Sequence, residues 1–305
     1  MKQLNLGQSG LMGSEVSLGL MRMADLGAQQ AVAVLAAAVE AGINFYDHAD
    51  IYGGGKSEEV FATAAKALGL KREDMVIQTK CGIREGQFDF SKAHILASVE
   101  GSLKRLQTDY VDVLLLHRPD TLMEPEEIAE AFSQLHHSGK VKHFGVSNFT
   151  PMQTELLQKY LDQKLIANQL QFGPMHTPLV DFGLTTNMAG EHGVNRTGEV
   201  LEYCRFKDIT IQAWSPFAYS TSWTIFVDDP KHPHINDCLD QLANQYGVDK
   251  NAIITSWILR HPAKMQVVIG TMTPERITAI AKGTDITLSR SEWYQVYLAA
   301  GNKLP

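Results

Sequence analysis

Cysteine is scarce in this sequence. Cys81, Cys204 and Cys238 are odd in number and widely spaced, which argues against a disulfide framework and for reduced thiols in a cytosolic compartment. Long apolar runs are missing as well. The stretch 31–39 is the longest, and a membrane-spanning helix takes roughly 20 residues. Residues 1–7 lack the apolar centre of a signal peptide, so a cytoplasmic protein with no membrane partner is expected. Positive charge is in the minority, with 27 Lys and Arg against 34 Asp and Glu and a formal net charge of -7. That balance argues against nucleic acid as a partner, while leaving room for a local basic pocket around a phosphate. A G-x-G-x-x-G turn is also absent. The first apolar run ends Gly19-Leu20-Met21-Arg22, which counts against an open doubly wound sheet.

What is present is a regular alternation. The chain has 305 residues, 44% hydrophobic and 20% charged, enough for one (β/α)8 barrel, which takes roughly 250 residues. Short apolar or β-branched runs fall at 16–21, 44–48, 75–80, 111–117, 143–147, 166–171, 210–214 and 266–270. They read as continuous apolar strands, the pattern of strands buried on both faces. Helical patterns lie between them at 29–41, 58–68, 93–106, 125–137, 152–161, 198–206 and 274–281. Ser57 is a candidate cap before Glu58-Glu59. Thr150-Pro151 and Thr273-Pro274 put proline at a first helical position, and Gly42 and Gly139 are stop signals. Eight strands with intervening helices predict an α/β fold, a (β/α)8 TIM barrel. Stretches 3–6 and 14–18 predict an N-terminal β-hairpin around Gln8-Ser9-Gly10, and 291–300 a C-terminal helix. With no linker or repeat, residues 1–305 read as a single domain. Two stretches, 174–196 and 217–233, break the rhythm and read as long functional loops.

The carboxyl ends of the predicted strands carry the polar residues, and barrel active sites are built at that end. Asp47 ends the second strand, with Tyr52 just beyond it. Lys80 ends the third, His117 the fourth, and Ser147-Asn148 the fifth, while Asn168 and Gln169 lie in the sixth. A buried lysine needs a counter-charge, and Asp47 on the adjacent strand supplies it. A phenol beside that cation is expected to have its pKa drawn down from about 10 toward neutral, as general acid catalysis favours. A neighbouring histidine can hydrogen-bond the same substrate oxygen.

The set Asp47, Tyr52, Lys80 and His117 resembles the catalytic tetrad of the aldo/keto reductase superfamily, in particular its bacterial oxidoreductase branch. Asp50-Ile51-Tyr52-Gly53, Gly139-Lys140-Val141, Gly145-Val146-Ser147-Asn148-Phe149, Asn168-Gln169 and Ala213-Trp214-Ser215-Pro216 resemble it too. The likeness runs from the first strand to Arg276. It implies carbonyl reduction with NADP(H), NAD(H) being less favoured. Tyr52 would protonate the carbonyl oxygen, Lys80 and Asp47 would tune it, and His117 would orient the substrate. Ser147, Asn148 and Gln169 would hold the nicotinamide carboxamide, and Trp214 would stack on the ring where many relatives have Tyr. Ser215, Pro216 and Phe217 would line the pyrophosphate. Gly270, Thr271, Met272 and Arg276 would hold the adenosine end. Many relatives carry Lys or Arg where Gly270 stands, which leaves Arg276 for the 2′-phosphate. Met21 and Arg22 are expected among the cofactor contacts and, with Met175, His176, Phe217 and Trp223, in the wall of a small-molecule carbonyl pocket. The sequence leaves the oligomeric state open; a monomer fits.

Other readings are blander. Alternation turns His48 away from Asp47, and Cys81 away from Lys80, so both read as packing residues. His136-His137 reads as solvated, and 32–39 as core packing. A metal-dependent hydrolase using Asp47, His48, Asp50 and His117 is disfavoured because His48 points the wrong way, so no metal is expected. A sensor subunit that keeps the cofactor site without turnover is disfavoured by the intact tetrad.

Overall fold

The computed structural model describes residues 1–189, 193–219 and 224–305. The chain opens with the antiparallel pair β1 (Gln3–Asn5) and β2 (Met12–Ser14). Then come β3 (Val16–Gly19), α1 (Ala28–Glu40), β4 (Phe45–Asp47), α2 (Lys56–Ala67) and β5 (Val76–Cys81). A small hairpin, β6 (Ile83–Arg84) and β7 (Gln87–Phe88), precedes α3 (Lys92–Leu106), β8 (Val111–Leu116), α4 (Pro125–His137), β9 (Val141–Ser147), α5 (Pro151–Gln158) and β10 (Leu165–Gln171). Next are α6 (Pro178–Leu184), α7 (Val200–Phe206), β11 (Thr210–Trp214) and a second small hairpin, β12 (Ala218–Tyr219) and β13 (Thr224–Ile225). The chain ends with α8 (Pro233–Tyr246), α9 (Lys250–Leu259), β14 (Gln266–Ile269), α10 (Pro274–Ala281) and α11 (Arg290–Ala299).

Strands β3, β4, β5, β8, β9, β10, β11 and β14 close into a barrel in that cyclic order, every pair parallel. This is the expected (β/α)8 architecture. Alternation along the strands sorts the side chains. Residues pointing outward, such as Tyr46, Ile77, Leu114 and Phe144, join the large core under the helices. Residues pointing inward fill the barrel in layers. Leu6, Phe45, Val76, Val113, Leu115, Ile166 and Ala167 form a separate apolar cluster, which the N-terminal hairpin closes from below. Gly7 N donates to Thr210 Oγ1 at 2.8 Å, and Gln266 Nε2 donates to Ser14 O at 2.7 Å. The N-terminal segment thereby covers the amino end of the barrel.

Several local expectations change. The second arm of the hairpin stops at Ser14, and Val16 already belongs to the barrel. Ser57 does not cap α2; it lies inside the helix, fully buried, with Oγ accepting from Ala24 N at 3.2 Å. The stretch read as one long loop after β10 contains α6, and two helices occupy the interval before β14. Of these, α8 buries Ile235, Cys238, Leu239 and Leu242 at helical spacing. By contrast, α9 is buried from Ala252 to Ile258, so no polar face marks it as a helix. At the C-terminus, Trp257 and Trp293 stack at 4.7 Å and each indole N–H donates to the other residue's backbone carbonyl, which fixes α11 against α9. Among the described residues no helix is long and apolar enough to cross a membrane. The three cysteines are buried and free.

Candidate active site

Three neighbouring strands bring the four candidate catalytic residues to one mouth. Asp47 is the last residue of β4, Lys80 points inward from β5, and His117 follows β8 directly. Tyr52 sits on the tight turn after β4, where Gly53 takes φ +59° and a Cβ would stand 2.4 Å from Ala24 Cβ. Glycine is therefore required beside Tyr52. The helix behind this turn is tied to the barrel by the buried Glu58, which accepts from Thr79 Oγ1 and Arg105 Nε, both at 2.7 Å.

Lys80 is completely buried, and each of its three N–H groups has an acceptor. Nζ donates to Asp47 Oδ2 at 2.8 Å, to His48 O at 2.7 Å and to Tyr52 Oη at 3.2 Å. Burial alone pulls the Lys80 pKa down, but Asp47 and Tyr52 outweigh it and the net shift is upward, so the ammonium is retained. Because Tyr52 Oη accepts from Lys80, its own proton is free to be donated into the cavity. Burial raises the Tyr52 pKa and Asp47 adds to that, while Lys80 and Arg118 pull it down; the net direction is up. This corrects the expectation that the cation draws the phenol toward neutral pH. In this environment Tyr52 is held protonated.

The ring of His117 stands edge-on to Tyr52, with centroids 5.9 Å apart. Burial, with help from Lys80 and Arg118, pushes its pKa down to about 2, so it is a neutral imidazole. Its Nδ1 is buried without a hydrogen-bond partner, which favours placing the single proton on Nε2. His48 is wholly buried outside the barrel wall, 4.6 Å from the Phe61 ring, with its pKa lowered by burial to about 3. It is a packing residue as expected, as is the buried Cys81, while His136 and His137 are exposed. Among the described residues no group of three His, Cys, Asp or Glu side chains is placed to hold a metal ion.

A feature that the sequence reading missed lies under the tetrad. Asp47 Oδ1 accepts from Gln78 Nε2 at 2.6 Å and from Gln169 Nε2 at 3.1 Å. Gln212 in turn exchanges amide hydrogen bonds with Gln78, accepts from Gln169 and donates to Gln266. Four glutamines from four strands thus form a polar layer above the apolar floor and hold Asp47 from the side opposite Lys80. The signal was a Gln at an inward position of each strand, visible only once the pleat is known.

A cavity of about 570 Å³ opens above this layer. Asp47, Tyr52 and His117 line its inner end, and Ser147, Asn148, Gln169 and Trp214 its middle. Ser215, Pro216, Phe217, Gly270, Thr271, Met272 and Arg276 line the rest, with Met21 and Arg22 along one side. Every predicted cofactor contact is therefore on one surface, and Lys80 alone of the tetrad is hidden beneath it. Asn148 and Ser215 have φ of +60° and +49°, sparsely populated for non-glycine residues and typical of functional loops. Gln169's amide nitrogen is committed to Asp47 and Gln212, leaving its Oε1 for a ligand. Arg22 donates to a backbone carbonyl, Gly270 O at 2.9 Å, and among the described residues no carboxylate pairs with Arg22 or Arg276. These residues fit a long ligand with an amide at one end and phosphates at the other.

Other parts of the pocket differ from expectation. His176 lines a side cavity, whereas Met175 packs against the core and lines neither cavity. Trp223 lies outside the described residues. Arg118 and Asn251 line the main cavity and were not foreseen. Arg118 reads in sequence as an ordinary charged residue after a strand, and only the closure of the barrel turns it to the site.

Structure and site together define a (β/α)8 barrel with a buried Lys–Asp pair, a protonated tyrosine and a neutral histidine at its carboxyl mouth. The pattern described as "Aldo/keto reductase family" matches residues 15–297. Oxidoreductase YdhF of Escherichia coli (strain K12) is 36% identical over 298 residues, 94% of this chain and 93% of that protein. The 6-dehydroglucose reductase of Agrobacterium fabrum is 33% identical over 303 residues, covering 95% of each. A crystal structure of an aldo/keto reductase from Klebsiella pneumoniae in complex with NADP and acetate matches with TM-score 0.79 and 25% identity, over 99% of this chain and 96% of that one. The chain belongs to the aldo/keto reductase family.

Proposed function

We propose that this protein reduces an aldehyde or ketone to an alcohol with NADPH, and that Tyr52 is the proton donor. The observation that carries this is the saturation of Lys80. With all three N–H groups engaged, the lysine stays charged, and Tyr52 is left as the one member of the pair with a proton to give. His117, neutral, donates from Nε2 to the same carbonyl oxygen and sets its direction. Asp47 keeps Lys80 in place and is itself held by Gln78 and Gln169.

NADPH, when bound along the cavity, supplies the hydride that makes the new C–H bond. Trp214 offers the flat surface for its ring, Asn148 and Gln169 the amide contacts, and Arg276 and Arg22 the positive charge for its phosphates. The NADP complex of the Klebsiella pneumoniae relative and the 6-dehydroglucose reductase among the relatives support a phosphorylated cofactor and a carbonyl substrate.

The test is NADPH oxidation with a panel of aldehydes and ketones, alongside NADPH binding by fluorescence. Tyr52→Phe should lose on the order of 10²- to 10⁴-fold in kcat and keep its affinity for NADPH. Undiminished turnover in Tyr52→Phe would remove the phenol from the mechanism. NADPH binding with no turnover of any carbonyl by the unaltered protein would turn the reading toward a sensor.

A further inference from the structure

A second cavity, of about 450 Å³, branches from the active site and shares Arg118, Asn148 and Trp214 with it. Its remaining wall has an apolar side, with Leu179 and Val200, and a polar side, with Gln171 and His176, and Arg196 is on its rim. No Asp or Glu lines it among the described residues. Arg118 stands at the junction. It is half-buried, its guanidinium lies 5.7 Å from the centre of the Trp214 ring, and no described carboxylate pairs with it. A guanidinium cannot shed its charge, and a partly desolvated cation without a counter-ion is unfavourable until an anion reaches it. The other charges of the main cavity are placed elsewhere: Asp228 pairs with Lys250 at 2.8 Å. Lys80 is neutralised by Asp47, and Arg22 and Arg276 stand with Gly270 and Thr271 at the opposite end of the main cavity. Arg118 is thus the cation placed where the two cavities meet at the substrate end, and Arg196 stands farther out on the rim of the side cavity.

We infer that the side cavity is a subsite for an acidic group on the substrate: the preferred substrate is an aldehyde or ketone bearing a carboxylate or phosphate, which Arg118 engages while the carbonyl faces Tyr52 and His117. This inference rests on the reductase reading and narrows its substrate class. The fork of donors on Arg118 suits either oxyanion. Trp214 holds the guanidinium plane by cation–π contact, so the fork is oriented before the anion arrives. The apolar wall of the branch accepts the chain that joins the two functional groups.

The experiment compares matched pairs. Succinic semialdehyde is measured against its neutral methyl ester, and glyceraldehyde 3-phosphate against glyceraldehyde, with NADPH, for the unaltered protein, Arg118→Met and Arg118→Lys. The acidic member of at least one pair should be favoured on the order of ten- to a hundred-fold in kcat/KM, expressed in KM, as one charge-assisted hydrogen-bonded contact provides. The pair that responds tells carboxylate from phosphate. Arg118→Met should bring that ratio close to one, and Arg118→Lys should restore part of it. Arg118 also faces Tyr52, so its loss alters the chemical step for both members, and the ratio cancels that effect. A ratio near one in the unaltered protein, or one that Arg118→Met leaves intact, overturns the subsite. A binding arm separates the two readings. Succinate and inorganic phosphate are titrated calorimetrically into the protein loaded with NADP⁺. If no carbonyl is turned over but succinate or phosphate binds and Arg118→Met abolishes the binding, the reductase reading falls and the anion subsite stands. If neither anion binds in an Arg118-dependent way, the subsite falls.

Discussion

Gln78 donates to Asp47 across neighbouring strands at 2.6 Å, and this bond holds the carboxylate that holds Lys80. Both residues are buried, Gln78 completely. Asp47 sits between a cation above and a layer of amides below, and its position is set by both.

Replacing Gln78 by Leu removes one donor to Asp47 and leaves Gln212 without its exchange partner. A buried hydrogen bond to a charged group contributes roughly 1.5–3 kcal/mol, so a loss of that size is expected in urea-induced unfolding. The displaced carboxylate should also lower kcat roughly tenfold, about 1.4 kcal/mol in the barrier, with NADPH affinity little changed. An unaltered kcat would show that Lys80 alone positions Asp47.

Acid stability has a sign that can be worked out. His48 has a folded pKa of about 3 against an ordinary value of 6.5. Between those limits the unfolded chain holds a proton that the native chain lacks, so lowering the pH lowers stability. His117 acts in the same direction from 6.5 down to about 2. Asp50 opposes them. Burial raises its carboxyl to about 6 from 3.8, so from pH 6 to 4 the native chain holds the extra proton and acid stabilises it. His48→Phe should flatten the acid limb of stability against pH by up to about 1.4 kcal/mol per pH unit. Asp50→Asn should steepen it between pH 4 and 6. Denaturation midpoints from pH 4 to 7 check both, and parallel curves for His48→Phe and the unaltered protein would contradict the assignment.

The proposed preference for NADPH rests on Arg276, exposed at the outer end of the cavity without a described carboxylate partner. Arg276→Ala should weaken NADPH binding on the order of ten- to a hundred-fold, as the loss of one arginine–phosphate pair does. NADH binding should change by less than about threefold, since only the 2′-phosphate distinguishes the two. Titrating both dinucleotides by fluorescence decides it; equal losses would place Arg276 on the shared part of the cofactor.

Much of this molecule is written locally in its sequence. The barrel strands are short runs rich in apolar and β-branched residues, and the polar residues ending them are legible because a barrel puts its chemistry at strand ends. Asp47, Tyr52, Lys80 and His117 were read in that way, with a known family to match. The proline and glycine signals around α5 and after α1 and α4 are local too, since they reflect backbone geometry that a few residues set by themselves. Helix α9 was not legible: it is buried nearly all round, and periodicity needs one polar face.

Tertiary structure alone decided the rest. Whether Lys80 lowers the Tyr52 pKa depends on how much water the closed barrel excludes, and desolvation outweighs the cation. The glutamine layer exists because four inward positions, far apart in sequence, meet on the barrel axis. Arg118 becomes a cation at a junction of two cavities only when β8, β9, β10 and β11 are brought side by side. Sequence could name the candidate catalytic groups from their type and order; the electrostatic state of each, and the acidic substrate proposed from Arg118, follow from distances and burial that no local pattern encodes.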